Sequence, residues 1–152
     1  MDKVNKNLPM QDTELALLID RFMRRIHFGL QSTAHAFDTA NVGPGGGIVL
    51  LTLADMGRPG LHELTTRVAR DKSQMTRMIR SLETKGLVAR TTSPDDARVS
   101  LVYLTDAGEQ VVRALQAAVA ETIGEILGPV SEKDEQVFKG ILKRALSDET
   151  SP

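Results

Sequence analysis

The chain has 152 residues, no cysteine and a net charge of −1. This length allows one domain whose core needs no cross-links, and the lack of cysteine excludes disulfides, cysteine zinc sites, iron–sulfur clusters and thiol switches. No apolar run reaches the roughly 18 residues that a membrane span requires, and the amino terminus has no secretory pattern. We therefore expect a soluble, cytoplasmic protein with no membrane partner.

The nearly neutral total hides an uneven distribution of charge. Residues 58–98 contain 9 basic and 5 acidic side chains, whereas residues 99–152 contain 5 basic and 9 acidic ones. A basic centre with an acidic flank is typical of a nucleic-acid-binding module joined to segments that avoid phosphates. An excess of this size also arises by chance, so the charge alone leaves both interpretations open.

The first predicted element is a long amphipathic helix from Thr13 to about Phe37, with apolar residues at intervals of three and four. Its stripe is longer than a typical globular helix, so part of it is expected to contact a partner. The glycine-rich residues 41–47 are predicted to stop this helix. A compact apolar helix then follows from Ile48 to Met56.

The glycine run 45–47 invites comparison with a phosphate-binding loop. Such a loop requires a Gly-Lys-Ser/Thr ending after a strand, whereas Ile48 follows the run here. We interpret the run as a flexible connection that lets the second helix start at variable angles, with a hinge as a further reading.

Two short helices, Leu61–Ala69 and Ser73–Lys85, are joined by Arg70, Asp71 and Lys72. From Met75 onward the second helix has apolar residues at i, i+3, i+4 and i+7, which predicts one buried face. Its opposite face is polar and cationic and carries Gln74, Thr76, Arg77, Arg80 and Ser81.

Two β-rich runs, Leu87–Thr92 and Val99–Leu104, are joined by a polar turn and predict a hairpin. Thr105 is placed to cap the helix that follows, which runs to about Leu127. Ser131 and Asp134 resemble a capping box before a last striped helix. The predicted fold is therefore mainly α with a small β-hairpin.

Two short helices followed at once by a hairpin make a winged helix-turn-helix. A helix can enter the major groove of DNA, where Gln, Thr, Ser and Arg side chains can read base edges. The hairpin would act as a wing that places Arg98 in a narrow minor groove, where negative potential is concentrated. Asp95 or Asp96 is unsuited to contact DNA but lies close enough to orient the Arg98 guanidinium.

Residues 64–90 (LTTRVARDKSQMTRMIRSLETKGLVAR) and 95–111 (DDARVSLVYLTDAGEQV) resemble the MarR family of bacterial transcription regulators. The resemblance implies one domain over residues 1–152, with a winged helix-turn-helix DNA-binding region at 46–104 and dimerisation helices at 12–40 and 105–147. It also implies a homodimer on a pseudo-palindromic double-stranded operator. Such a regulator would be a repressor, or less often an activator, that a small-molecule effector releases from DNA.

The resemblance also assigns residue roles by position. Asp96 and Arg98 match the family's wing pair, and Arg90 matches the arginine that leads into the wing. The residues that match its base- and phosphate-contacting face are Ser73, Gln74, Thr76 and Arg77. Thr65 and Lys72 are secondary candidates for phosphate contacts. The predicted DNA-binding residues are Thr65, Lys72, Ser73, Gln74, Thr76, Arg77, Arg80, Arg90, Asp96 and Arg98.

Other classes of function have weaker support. No catalytic motif occurs at a usable spacing, so we predict no enzyme and no cofactor. His27 and His35 share roughly one helical face and Asp38 follows, but a metal needs three or four converging ligands, so we predict no metal site. The remaining alternative is a winged-helix protein-interaction module without sequence-specific DNA binding.

Overall fold

The computed structural model describes residues 8–147 as six α-helices and one antiparallel two-stranded hairpin. The elements are α1 (Leu8–Phe37), α2 (Gly43–Met56), α3 (Leu61–Val68), α4 (Lys72–Thr84), β1 (Val88–Thr92), β2 (Ser100–Leu104), α5 (Asp106–Leu127) and α6 (Glu132–Leu146). The predicted fold class is confirmed. The predicted domain, 1–152, extends beyond the described residues at both ends. None of the described helices is long and apolar enough to span a membrane.

The glycine run lies inside α2 and not ahead of it. The helix begins at Gly43 with Pro44 in its first turn, so the predicted start at Ile48 and the predicted flexible connection are wrong. Proline is favoured at this position because its φ suits a helix and its missing N–H would be unpaired there. The N–H groups of Val42 and Gly43 donate to the Asp38 carboxylate at 2.7 and 2.9 Å.

The glycines of this run allow close packing. A Cβ at Gly47 would lie 3.2 Å from Leu115 of α5, and one at Gly46 would lie 2.6 Å from Val42. Both glycines are buried. The absence of a side chain at Gly47 lets α2 approach α5 closely, and the buried packing of both glycines argues against a hinge.

The hydrophobic core lies between α2, α3, α4, the hairpin and the start of α5. On α4, Met75, Ile79 and Leu82 are at most 2% exposed, and the partly buried Met78 packs against the same cluster. This confirms the predicted buried face. Each such side chain contributes about 1.5–3 kcal/mol through its removal from water, so the orientation of α4 about its own axis is strongly fixed.

The hairpin pairs β1 with β2 from Val88 opposite Leu104 to Thr92 opposite Ser100. Its entry is set by the end of α4, where Gly86 has a φ of +71°. The N–H of Gly86 donates to the Glu83 carbonyl and that of Leu87 to the Leu82 carbonyl. This pair of bonds is a Schellman motif, which turns the chain out of the helix at a fixed angle.

The exit from the hairpin is fixed by Thr105, as predicted. Its hydroxyl accepts from the Gly108 N–H at 3.1 Å, which caps α5, and donates to the Gly86 carbonyl at 2.6 Å. A Cβ at Gly108 would overlap the carbonyl oxygen of Leu87. The two ends of the hairpin therefore meet at a contact that only glycine permits.

We expect Gly108→Ala to lower the free energy of unfolding by about 2 kcal/mol, because the added methyl group must displace a backbone carbonyl. Gly124→Ala is the matched control on the same helix, since no atom lies within 4 Å of its Cβ position. That change should raise stability by about 0.5–1 kcal/mol through helix propensity. Urea unfolding of both variants checks this, and equal effects of the two changes would contradict the close contact.

Candidate nucleic-acid interface

The second helix of the helix-turn-helix is α4, and its start is fixed by a cap. Ala69 ends α3 in the left-handed conformation, with a φ of +54°. The Asp71 carboxylate then accepts from the Gln74 N–H at 2.8 Å. The sequence pattern places Asp71 and Lys72 in the connection, whereas Lys72 is the first residue of the helix and Asp71 is its N-cap.

The outer face of α4 is available to a ligand. Lys72, Ser73, Gln74, Arg77 and Arg80 are all exposed. Within residues 8–147, neither Arg77 nor Arg80 forms a salt bridge. Because Met75, Ile79 and Leu82 hold the other face in the core, both guanidinium groups point away from the body and are free to bind anions.

The two threonines of the predicted site are less accessible. Thr65 and Thr76 are partly buried, and their hydroxyls donate to the carbonyls of Leu61 and Lys72 at 2.7 and 2.8 Å. A hydroxyl has one proton to donate, and phosphate oxygens only accept. In this arrangement neither side chain can donate to a phosphate, so their predicted contacts have the weakest geometric support.

The wing carries the predicted pair of Asp96 and Arg98. The Asp96 carboxylate accepts from the backbone N–H, the Nε and the Nη2 of Arg98 at 3.0, 3.2 and 3.3 Å. The Arg98 side chain is 91% exposed. Of the two acids considered from the sequence, Asp96 therefore orients the guanidinium, while Asp95 donates its own N–H to Ser93.

This contact also affects the titration of Asp96. The hydrogen bond from the Arg98 side chain, followed by that from its backbone N–H, lowers the pKa of the Asp96 carboxyl below its ordinary value of 3.8. A lowered pKa means that the carboxylate stays charged at and above that ordinary value. The orientation of Arg98 is therefore kept near neutral pH and is lost only as the pH falls through the lowered pKa.

Arg90, which is a predicted DNA contact, forms an ion pair with Glu83. Its Nε and Nη2 donate to the two Glu83 carboxylate oxygens at 2.8 and 3.0 Å, and both side chains are about 30% exposed. This bidentate pair uses Nε and Nη2 and does not involve Nη1, which carries two further N–H donors. Arg90 therefore joins β1 to α4, and its DNA contact stays a prediction.

A second brace holds the wing from the other side. The Arg58 guanidinium lies 4.4 Å from the centre of the Tyr103 ring, and the Val102 N–H donates to the Pro59 carbonyl at 2.9 Å. The segment between α2 and α3 therefore attaches to β2. Sequence reasoning misses both contacts, because no local pattern links residues this far apart.

The histidines considered as metal ligands do not converge. His27, His35 and His62 are exposed. Among the described residues there is no group of three or more side chains that could hold a metal ion.

Together, an exposed cationic helix and an adjoining wing with an oriented arginine define a DNA-binding transcription regulator of the winged-helix class. The model of the MarR family matches residues 48–100. The HTH-type transcriptional regulator YxaD of Bacillus subtilis is 30% identical over 123 residues, which are 81% of this chain and 84% of that protein. The chain belongs to the MarR family, and it is a transcriptional regulator and not an enzyme.

One further relative agrees with this assignment, and a solved structure agrees with the fold. YdgJ, another HTH-type regulator of Bacillus subtilis, is 32% identical over 82 residues, which are 54% of this chain and 50% of that protein. Among solved structures, Bordetella bronchiseptica BpsR, whose DNA binding is regulated by 6-hydroxynicotinic acid, matches with a TM-score of 0.71 at 21% identity. That match covers 87% of this chain and 98% of the BpsR chain.

We expect Arg98→Ala to weaken DNA binding by about 1–3 kcal/mol, because a guanidinium inserted in a narrow minor groove interacts with concentrated negative potential. Fluorescence anisotropy with labelled duplex measures the change. Lys139→Ala, on α6 and outside the wing, is the control and should bind like the unmodified protein. If Arg98→Ala has the same affinity and the same salt dependence as the unmodified protein, Arg98 of the wing does not contribute to DNA binding.

Proposed function

We propose that the protein is a dimeric transcriptional repressor that binds a pseudo-palindromic operator in the cytoplasm and leaves it when a small molecule binds. The observation that carries the DNA-binding part is the outward cationic face of α4 beside Arg98 of the wing. Five exposed polar or cationic residues of that face, with no carboxylate among them, present donors to a polyanion. The groove-sized helix and the wing would then contact adjacent grooves of one duplex.

Within this face, the first turn of α4 is the part suited to base reading. Helix-turn-helix proteins contact base edges with the amino-terminal residues of the recognition helix. Ser73 and Gln74 lie there and are exposed. A Gln amide can bond to the N6 and N7 of adenine with two hydrogen bonds, which gives discrimination that a lysine–phosphate contact does not.

Gln74→Ala should therefore relax sequence preference more than it lowers affinity for random DNA. Duplexes bound by the unmodified protein are first selected from a random library. Binding of both proteins to the selected sequence and to a shuffled one is then compared. We expect about a tenfold loss on the selected sequence, corresponding to about 1.4 kcal/mol, with little change on the shuffled one. Equal losses on both would reject base reading by Gln74.

Self-association is supported by apolar side chains that the single chain leaves uncovered. These side chains lie on α1 and α6, which contact each other where the Phe22 and Phe138 rings meet edge to face at 5.6 Å. Many exposed apolar side chains on two helices that contact each other mark an interaction site, and a second copy of the chain presents the same side chains. The side chains are Leu15, Leu18, Ile19 and Met23 on α1 and Val137, Ile141, Leu142 and Leu146 on α6, each 43–58% exposed.

In this proposal, residues 12–40 and 105–147 provide the dimerisation helices, and two copies of the region 46–104 face the same side of a duplex. Helix-turn-helix dimers place their recognition helices about 34–36 Å apart, which is one turn of DNA. A pseudo-palindromic operator would match this twofold symmetry.

Leu142→Lys is expected to shift the protein from dimer to monomer, because a charged side chain would have to be desolvated in the apolar interface. Sedimentation equilibrium gives the mass of the assembly. Val99→Lys is the control, since Val99 is also exposed but lies at the wing. A Leu142→Lys protein that keeps the mass of the unmodified assembly would place the interface elsewhere.

Regulation by a small molecule is supported by the likeness to BpsR and by a groove between α1 and α5. The groove has a volume of about 490 Å³ and is lined in part by Arg25, Phe28, Ser32 and Thr122. An effector releases DNA only to the extent that it binds one dimer shape better than the other. Titration of the DNA complex with 6-hydroxynicotinic acid and related aromatic acids tests this part, and an unchanged DNA affinity with all of them would count against an effector of that class.

A further inference from the structure

The recognition helix is tied at its carboxyl end to the segment that follows α1. The Lys85 ammonium donates to the backbone carbonyls of Ala40 and Asn41 at 2.9 and 2.6 Å. These residues are 45 and 44 positions from Lys85 in the sequence. Neither carbonyl lies within a helix, so the lysine supplies donors that the local backbone does not.

The segment that receives Lys85 is itself held in one conformation. Asn41 has a φ of +53°, a left-handed value that few residue types adopt readily. On the other side of the segment, the Asp38 carboxylate accepts from the N–H groups of Val42 and Gly43. Because α1 ends at Phe37, a displacement of α1 must move this segment, and the segment has little freedom to absorb the movement.

The other end of this connection also moves as a unit. Lys85 is the C-cap of α4. Glu83, two residues before it, forms the bidentate pair with Arg90 of β1. The Gly86 carbonyl accepts from Thr105 at the start of α5. A pull on Lys85 would therefore act on the recognition helix and the wing together.

We propose that Lys85 is a positioning residue that links α1 to the recognition helix and so sets the separation between the two recognition helices of the dimer. The inference rests on the proposed function, because α1 carries part of the proposed dimer surface. Lys85 acts by holding the helix and not by touching DNA. The core contacts of Met75, Ile79 and Leu82 remain when the lysine is replaced, so the fold is kept while the end of α4 gains freedom to tilt.

The experiment compares three variants on the sequence selected from random duplex. Lys85→Met removes the donors but keeps the length of the side chain, and Lys85→Arg keeps both charge and donors. Lys72→Met is the matched control at the other end of the same helix, where the exposed lysine is predicted to contact phosphate. Affinity is measured over a salt series on the selected operator and on versions with one base pair added or removed between the half-sites. Thermal melting of each variant is recorded in parallel.

Positioning by Lys85 predicts a specific pattern. Lys85→Met should bind the selected operator about three- to tenfold more weakly than the unmodified protein. Its affinity for the operators with altered spacing should stay nearly the same as that of the unmodified protein. Its salt slope and melting temperature should also be unchanged. Lys85→Arg should keep the spacing preference of the unmodified protein. Lys72→Met should instead weaken binding equally at every spacing and reduce the salt slope by about one for each phosphate that the lysine no longer neutralises.

Three results would overturn the inference while leaving the proposed function intact. In the first, Lys85→Met binds DNA like the unmodified protein. In the second, Lys85→Met loses affinity and salt dependence in the same way as Lys72→Met. In the third, Lys85→Met melts well below the unmodified protein. The second would make Lys85 a phosphate-binding residue, and the third would make it a residue that stabilises the fold. If the unmodified protein selects no sequence at all, the proposed function fails and the inference fails with it.

Discussion

The burial of one face of α4 is the constraint on which the rest of the structure depends. Met75, Ile79 and Leu82 are almost completely removed from water, and rotation of the helix about its axis would expose them. Each exposure would cost about 1.5–3 kcal/mol, which is a large part of the stability of a small domain. The same residues therefore force Gln74, Arg77 and Arg80 outward. The fold and the proposed DNA-binding surface are two consequences of one amphipathic pattern.

The carboxyl end of α4 is the second important feature, because several parts of the molecule meet there. Gly86 turns the chain into the wing, and Thr105 returns it into α5 beside Gly108. The pair of Glu83 and Arg90 fixes the wing relative to the helix. These contacts fix α4 and the wing relative to each other, so in the proposed complex one rigid body would contact both grooves. Loss of any one of these contacts would therefore change the position of the wing relative to α4.

Much of this arrangement can be predicted from local patterns. The helical spacing from Met75 identifies the buried face of α4, and Thr105 is recognisable as a cap because it directly precedes an apolar helix with an acid beside its start. The pairing of Asp96 with Arg98 is also within reach, since the two residues lie in one short turn. Each of these interactions joins residues within a few positions of one another.

The errors arise where distant residues decide the outcome. The glycine run suggests a flexible connection because glycine lowers helix propensity, whereas the run lies inside α2 and the close contact of Gly47 with Leu115 of α5 favours a small residue. The ion pair of Arg90 with Glu83 is also missed by local patterns, because the two residues lie on different elements. The sequence draws attention to Asp38 only beside the histidines, and its two bonds to the start of α2 depend on a left-handed turn at Asn41.

The most direct test of the central claim is the salt dependence of binding to double-stranded DNA by the intact protein. If the outer face of α4 and the wing contact phosphates, the logarithm of the association constant should fall linearly with the logarithm of the salt concentration. The slope should be about −0.9 for each phosphate contacted. Binding that is absent at low salt, or that does not change with salt, would contradict the account.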